Sequence, residues 1–393
     1  MSNKFDIIII GGGIIGSATA FFLTQRGFGG KVAVIEPDPT YEFASTPQGA
    51  GGVRRLFSRS ENIDMSKFSL EFYRNFAEET GLEPEKADIG FRSQGYLFVT
   101  KPEGADILEK NYQFQISKNV PADLLGVEEL KNRFPSLGVE DIALGCHSPE
   151  DGWIDPSAAL QGFRAAAQQN GVAFIRGRVV SLHAGNKKVE SVQLEDGQCL
   201  AGELFLNTAG PWCDEIARMI NAELPVKPMC RVQHYWHCSS EIEALPLVKD
   251  DSGMFFRPEG DGFAGGCPSF AIPPGFNFDF DRGFFANYFE ETVWPLIANR
   301  LPKFENIRLR RTWGGHYAQN IFDGNMIIGK FSRDYSNILT ACGFSGHGLM
   351  HAPAVGRALA ELSLNGDFQT LDLNALTIDR IWDNHPYNEF GIR

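Results

Sequence analysis

The stretch Phe5-Asp6-Ile7-Ile8-Ile9-Ile10-Gly11-Gly12-Gly13-Ile14-Ile15-Gly16 decides the fold. Phe5 to Ile10 is a short apolar run, rich in β-branched residues and bounded by glycines. That is the pattern of a strand buried on both faces. Residues 14–26 have helix-compatible apolar spacing, and Gly27 stands where that helix should end. Lys31 to Ile35 is a second β-rich run, closed by Glu36-Pro37. Strand, glycine turn, helix and strand form one βαβ unit, which predicts an α/β fold.

Gly11-x-Gly13-x-x-Gly16 is a weak signal alone, because 42 of the 393 residues are glycine. Its place after a buried strand and at the start of a helix makes it a dinucleotide-binding fingerprint. Gly11 permits the tight turn, Gly13 lets a pyrophosphate reach the backbone, and Gly16 lets helix and strand pack closely. The helix N-terminus offers unpaired N–H groups and a partial positive charge. Glu36, 20 residues beyond Gly16, is placed to accept hydrogen bonds from a ribose diol, and its charge disfavours a 2′-phosphate. The plainer alternative is a structural glycine turn with a solvated Glu36. NAD and FAD both use this fingerprint, so it does not choose between them.

The rest of the composition narrows the class. A formal net charge of −13 repels phosphate backbones and anionic membrane surfaces, so no nucleic-acid partner is expected. Seven cysteines with no CxxC pair argue against a disulfide scaffold or a zinc site and suggest a reducing, cytoplasmic setting. Glycines and polar residues interrupt the apolar segment 7–23, so no membrane span is expected. The length suggests two domains. Further helices are expected over 63–79, 125–134, 156–169 (capped by Asp155) and 348–364. Strands are expected over 95–100, 172–175, 179–182, 189–194, 203–207 and 337–340.

Four further segments make the chain resemble the D-amino-acid oxidase and sarcosine oxidase superfamily of FAD proteins, with its glutathione-reductase type 2 fold. They are Ala44-Ser45-Thr46 through Gly51-Gly52-Val53-Arg54, Asp151-Gly152-Trp153-Ile154-Asp155-Pro156, Leu206-Asn207-Thr208-Ala209-Gly210-Pro211-Trp212, and the C-terminal set. That set runs from Trp313-Gly314-Gly315-His316-Tyr317 to Gly343-Phe344-Ser345-Gly346-His347-Gly348-Leu349. The resemblance covers nearly the whole chain. It implies a Rossmann-like FAD domain (1–88, 147–220, 322–393) interleaved with a substrate domain on a mostly antiparallel sheet (89–146, 221–321). It also implies FAD contacts from Gly11, Gly13, Ile14, Ile15, Gly16, Glu36, Pro37, Ser45, Gly51, Gly52, Val53 and Val179. Ala209, Gly210, Trp212, Gly315, Phe344, Ser345, Gly346, His347, Gly348 and Leu349 complete the implied set. The glycines around 343–348 agree with this on their own, because a flat ring can approach a backbone that lacks Cβ atoms.

The implied activity is oxidation of the C–N bond of a small amine or amino acid (D-, N-methyl- or cyclic), with electrons passed to a quinone, an electron carrier or oxygen. Candidate substrate anchors are Arg54, Arg55 and Arg257, with His316 and Tyr317 to orient substrate. The alternative for Arg54 and Arg55 is to hold the loop or a phosphate, for Arg257 a solvated place at a strand end, and for His316 and Tyr317 simple packing. Gly315 stands where sarcosine oxidase relatives carry the flavin-linking Cys, which implies non-covalent FAD. Met350 stands where those relatives carry a carboxylate-binding Lys. No Lys occurs between Lys249 and Lys303, where they carry an oxygen-activating one. Two other functions stay open from the sequence: a non-catalytic flavoprotein acting as a binding or assembly factor, and a nicotinamide-dependent dehydrogenase.

Overall fold

The computed structural model describes residues 4–269, 271–280 and 282–392. Two eight-stranded sheets carry the fold. In the first, the opening strand Lys4–Ile10 lies at the centre, parallel to Val32–Glu36 on one side and Cys199–Asn207 on the other. Ala173–Arg176 and Ile338–Cys342 extend it in parallel, and Ile327–Lys330 closes one edge antiparallel. The hairpin of Val179–Gly185 and Lys188–Leu194 joins along Cys199–Asn207. Ile7 to Ile10 are all buried, as a central parallel strand covered on both faces requires.

Two helices cross on one face of this sheet. Ile14–Gln25 follows the fingerprint turn, and Gly348–Asn365 lies against it. Their contact depends on a missing side chain. A Cβ at Gly356 would sit 2.8 Å from the backbone carbon of Ala18 and 3.0 Å from the nitrogen of Thr19. Phe21, Phe72 and Phe163 then tie Ile14–Gln25 to Ser60–Arg74 and Pro156–Gln169, with ring centroids 5.6–6.0 Å apart.

The second sheet has the order Ile307–Asn320, Val226–Cys238, Gly262–Gly266, Phe255–Glu259, Leu247–Asp250, Tyr96–Thr100, Leu144–Ser148, Asp123–Gly126. Its pairs are antiparallel except Leu247–Asp250 with Tyr96–Thr100. Side chains alternate between its faces. Leu97, Val99, Val248 and Phe256 enter a core shared with Phe289, Val293, Ile297 and Phe304. Tyr96, Phe98 and Leu247 face the other way, into the core built around the two crossing helices.

Element types follow the sequence with two corrections. Leu125 belongs to the strand Asp123–Gly126, and the helix starts only at Val127, with Glu129 accepting from the Gly126 N–H. The expected 63–79 helix is two helices, Ser60–Arg74 and Phe76–Thr80, broken at Asn75 (φ −105°, ψ 25°). Among the described residues no helix is long and apolar enough to cross a membrane.

The Gly356 contact sets opposing terms. Gly356→Ala gains up to about 1 kcal/mol of helix propensity. It also forces the two backbones apart, at a cost of roughly 1–3 kcal/mol. We expect a net loss, measured as a lower urea midpoint with unchanged m-value.

Candidate active site

The fingerprint turn is built from two contacts that exclude side chains. Gly11 has φ +100°, and a Cβ there would lie 2.6 Å from the Thr208 carbonyl oxygen. A Cβ at Gly16 would lie 2.0 Å from the Gly11 carbonyl oxygen. The first helix is thereby pressed onto the strand ends. Gly13 is the opposite case, with nothing nearer to its would-be Cβ than the Thr46 hydroxyl at 3.9 Å. It faces a cavity of about 790 Å³ that runs from Glu36 to the start of Gly348–Asn365. Both helix N-termini at this cavity lack a side-chain cap and an acid in the first turn. Apart from the Ile14 N–H, which donates to the Thr46 hydroxyl (3.4 Å), their first N–H groups and their dipoles are left for an anion.

Glu36 marks one end. Its carboxylate accepts from the Gly12 N–H (2.8 Å) and the Asp38 N–H (3.0 Å). Burial raises its pKa, and those two N–H donors pull it back. The Tyr41 hydroxyl beside it is buried with no protein partner, and burial together with the Glu36 charge pushes it up to about 12. At the other end Gly346 (φ +97°) lies under the Tyr317 ring, 3.0 Å from a would-be Cβ. Ser345 (φ +51°) turns the chain there, its N–H donating to the Ala318 carbonyl and its hydroxyl accepting from the Asn320 N–H.

Of the residues expected to hold the dinucleotide, Gly11, Gly13, Ile14, Ile15, Glu36, Pro37, Ser45, Val179, Ala209, Gly210, Trp212, Phe344, Gly346, Gly348 and Leu349 line this cavity. Seven do not. Gly16 is a packing position. Gly51 abuts the Ile154 carbonyl, and Gly52 lies under Tyr96 and Leu247. Val53 is core and pairs with Gly152. Gly315 is covered by the Gln48 side chain, and Ser345 shapes the turn. The His347 ring lines a second cavity instead. Sequence reading missed Tyr41, Thr46, Phe276 and Phe278, among others. Phe276 stacks on Trp212 at 4.8 Å, and Phe278 meets Phe43 at 4.9 Å across the cavity.

The loop 44–52 is tacked to the second sheet at three points, and these explain two of the candidate anchors. Arg257 Nε donates to the Ala50 carbonyl (2.8 Å), and its Nη1 pairs with Glu259. The Ser45 hydroxyl donates to the His316 carbonyl (2.6 Å), and Gln233 donates to the Gln48 carbonyl (2.6 Å). The His316 ring accepts from the Asn277 N–H and packs among Phe276, Phe278 and Phe280. Arg257 and His316 thus brace the loop and line neither cavity. Arg55 is also occupied, bound to Asp151 through Nε (2.7 Å) and its backbone N–H.

Arg54 is different. It is buried, its guanidinium 4.0 Å from the Phe57 ring centroid and 5.0 Å from that of Phe98. Nη2 donates to His347 Nε2 (3.3 Å), and Nη1 to the Leu56 carbonyl. No carboxylate among the described residues forms an ion pair with it. Arg54 and His347 line the second cavity, of about 340 Å³. Gly346 and Gly348, on either side of His347, line the first. The two cavities therefore lie on either side of His347, at the start of one helix.

The structure also supplies a lysine that the sequence search passed over. Lys249 pairs in register with Phe98 and Phe255, so it lies on the same face of the second sheet as Phe98, toward Arg54. Burial and the Arg54 charge lower its pKa from 10.5 to about 7.

The FAD dependent oxidoreductase family matches residues 6–362, and the chain belongs to it. It is 37% identical to the FAD-dependent oxidoreductase domain-containing protein 1 of Xenopus laevis, over 99% of this chain and 85% of that protein. It is 25% identical to human mitochondrial dimethylglycine dehydrogenase, over all of this chain but 46% of that protein. Among solved structures, L-proline dehydrogenase from P. horikoshii superposes with a TM-score of 0.81 at 27% identity, over 98% of this chain and 100% of that one. Glycine oxidase from Geobacillus kaustophilus, at 22% identity, shares the fold with a TM-score of 0.82, covering 96% and 98% of the two chains. The protein is an FAD-dependent oxidoreductase. The site fits that cofactor: two bare helix N-termini for its anionic parts, and an orphaned Tyr41 hydroxyl beside Glu36 at the ribose end.

Glu36→Ala should weaken FAD binding by roughly 1–3 kcal/mol, since the ribose hydroxyls lose a charged acceptor. Titration of apoprotein with FAD measures it. Lys249 gives a pH test. Between pH 7 and 10.5 the unfolded chain holds a proton at Lys249 that the folded protein has released, so stability rises with pH across that window. Lys249→Met should therefore raise Tm most at and below pH 7, with the gain fading by pH 10. An equal gain at pH 6 and pH 10 would show that the ammonium is not desolvated.

Proposed function

We propose that the protein oxidises the C–N bond of a small amine or amino acid. The carrying observation is Arg54, a buried cation that no carboxylate among the described residues reaches at ion-pair distance, though the Glu389 and Asp151 charges act on it from further off, at the wall of a cavity that adjoins the FAD cavity across His347. A substrate carboxylate is the partner that such a guanidinium lacks. The Phe57 and Phe98 rings keep Arg54 out of water, which strengthens that pairing. The similarity to a protein named L-proline dehydrogenase supports an amino acid as the substrate.

Bound FAD supplies the two-electron acceptor for a hydride from the carbon beside the amine nitrogen. The chain's own part is to orient that carbon, with Arg54 holding the acid end and Tyr317 walling the cofactor side. The resulting imine is hydrolysed by water. FAD is proposed to be held without a covalent bond, since no cysteine or histidine lines the larger cavity. Heat or acid should release all the flavin from the precipitated protein.

Anaerobic mixing with a panel of D-, N-methyl- and cyclic amino acids should bleach the flavin for at least one of them. Arg54→Met should raise the Kd of that substrate by about 10- to 100-fold while FAD stays bound. A panel that leaves the flavin oxidised would favour the binding-factor alternative.

A further inference from the structure

We propose that the 340 Å³ cavity beside Arg54 is the compartment for the substrate's side chain, and that the protein prefers amino acids with a large apolar side chain over glycine-sized ones. This inference rests on the amine-oxidation reading above. The cavity lies between the Tyr96–Thr100 strand, the helix Ala105–Ser117 and the C-terminal residues 389–392. Arg54 and His347 lie at its end nearest the cofactor cavity, which Gly346 and Gly348 line on either side of His347. A substrate held by its carboxylate at Arg54 has its reacting carbon near the cofactor and its side chain directed into this space.

The chemistry of the walls gives the class. Most polar groups that reach the cavity are already satisfied within the protein; Glu389 accepts from the Ser58 N–H and hydroxyl and from the Asn62 amide. Gln115 donates to the Phe57 carbonyl (3.1 Å) and accepts from the Cys146 thiol. Asn111 donates to the Phe390 carbonyl (2.9 Å). Asp251 accepts from the Thr100 hydroxyl (2.8 Å) and the Lys101 N–H (2.7 Å). What remains for a ligand, besides the Arg54 and Glu389 charges and the His347 ring, is apolar surface from Leu56, Phe57, Phe98, Ile107, Leu108 and Ile392. A cavity of about 150 Å³ with such walls holds benzene. This one is more than twice that size, so a branched or aromatic side chain fits. Glycine would leave it empty and gain nothing from its walls.

The test uses the full-length holoprotein and simple carboxylates, which need no turnover. Acetate and 4-methylpentanoate share the acid group and differ in four carbons. Each buried CH₂ contributes about 0.8 kcal/mol, roughly fourfold in affinity. Kd values from flavin difference spectra, checked by calorimetry, should favour 4-methylpentanoate by at least about thirtyfold. Ile107 lines the mouth and is 43% exposed, so a larger residue there leaves the core intact. Ile107→Trp should shrink the preference to within about threefold, with FAD content unchanged. Equal Kd values for the two acids, no binding of either, or a preference that Ile107→Trp leaves in place would overturn the assignment. If the preference holds but no amine reduces the flavin, it is the oxidation reading that falls.

Discussion

Contact between bare backbones sets the position of everything else in this molecule. Gly16 sits against the Gly11 carbonyl, and Gly11 against Thr208, with no room for one carbon more. That closeness brings the start of Ile14–Gln25 to the ends of the central strands. Gly356 repeats the device where the two long helices cross. Both helices then begin at the same cavity with no side-chain cap, the Ile14 N–H alone reaching the Thr46 hydroxyl. An anionic cofactor satisfies both helix starts at once, which neither could do with its own side chains.

The second sheet divides its labour by parity. Every other residue of Tyr96–Thr100 and Leu247–Asp250 faces the cofactor half, and the rest close a core of their own. On the cofactor side the charged residues have two uses. Arg257 holds the 44–52 loop by its backbone, as Gln233 also does, while Arg55 is locked to Asp151. Arg54 is instead held by aromatic rings, a carbonyl and a histidine, none of which cancels its charge. Lys249 adds a second basic group nearby, its charge disfavoured by burial and by Arg54.

Much of this was legible in the sequence, for short-range reasons. The fingerprint turn, the βαβ unit, the Asp155 cap and the helix start at Gly348 each depend on neighbours within a few residues. Arg54 was legible from the loop motif. Other features depend on contacts far apart in the chain. An arginine or histidine in a strand reads the same whether it aims at a ligand or at a neighbouring backbone, so Arg257 reads as an anchor and His316 as orienting substrate, whereas the Arg257 side chain holds the Ala50 carbonyl and the His316 ring the Asn277 N–H. Phe276 and Phe278 come from a Gly- and Pro-rich stretch with no periodicity to betray their burial partners. Lys249 was passed over because its neighbours, Phe98 and Arg54, are some 150 and 200 residues away.

The order of strands in the first sheet also bears on how the protein is made. Lys4–Ile10 pairs with Cys199–Asn207, and the cavity is completed by Phe344 to Leu349. During synthesis the fingerprint turn emerges first and waits for most of the chain before its partners exist. Such distant pairings fold slowly. An emerging polypeptide would therefore expose its run of isoleucines, Ile7 to Ile10, before the strands and helices that bury them exist. Cofactor capture is then a late event of biogenesis, since the cavity is complete only once Phe344 to Leu349 are in place.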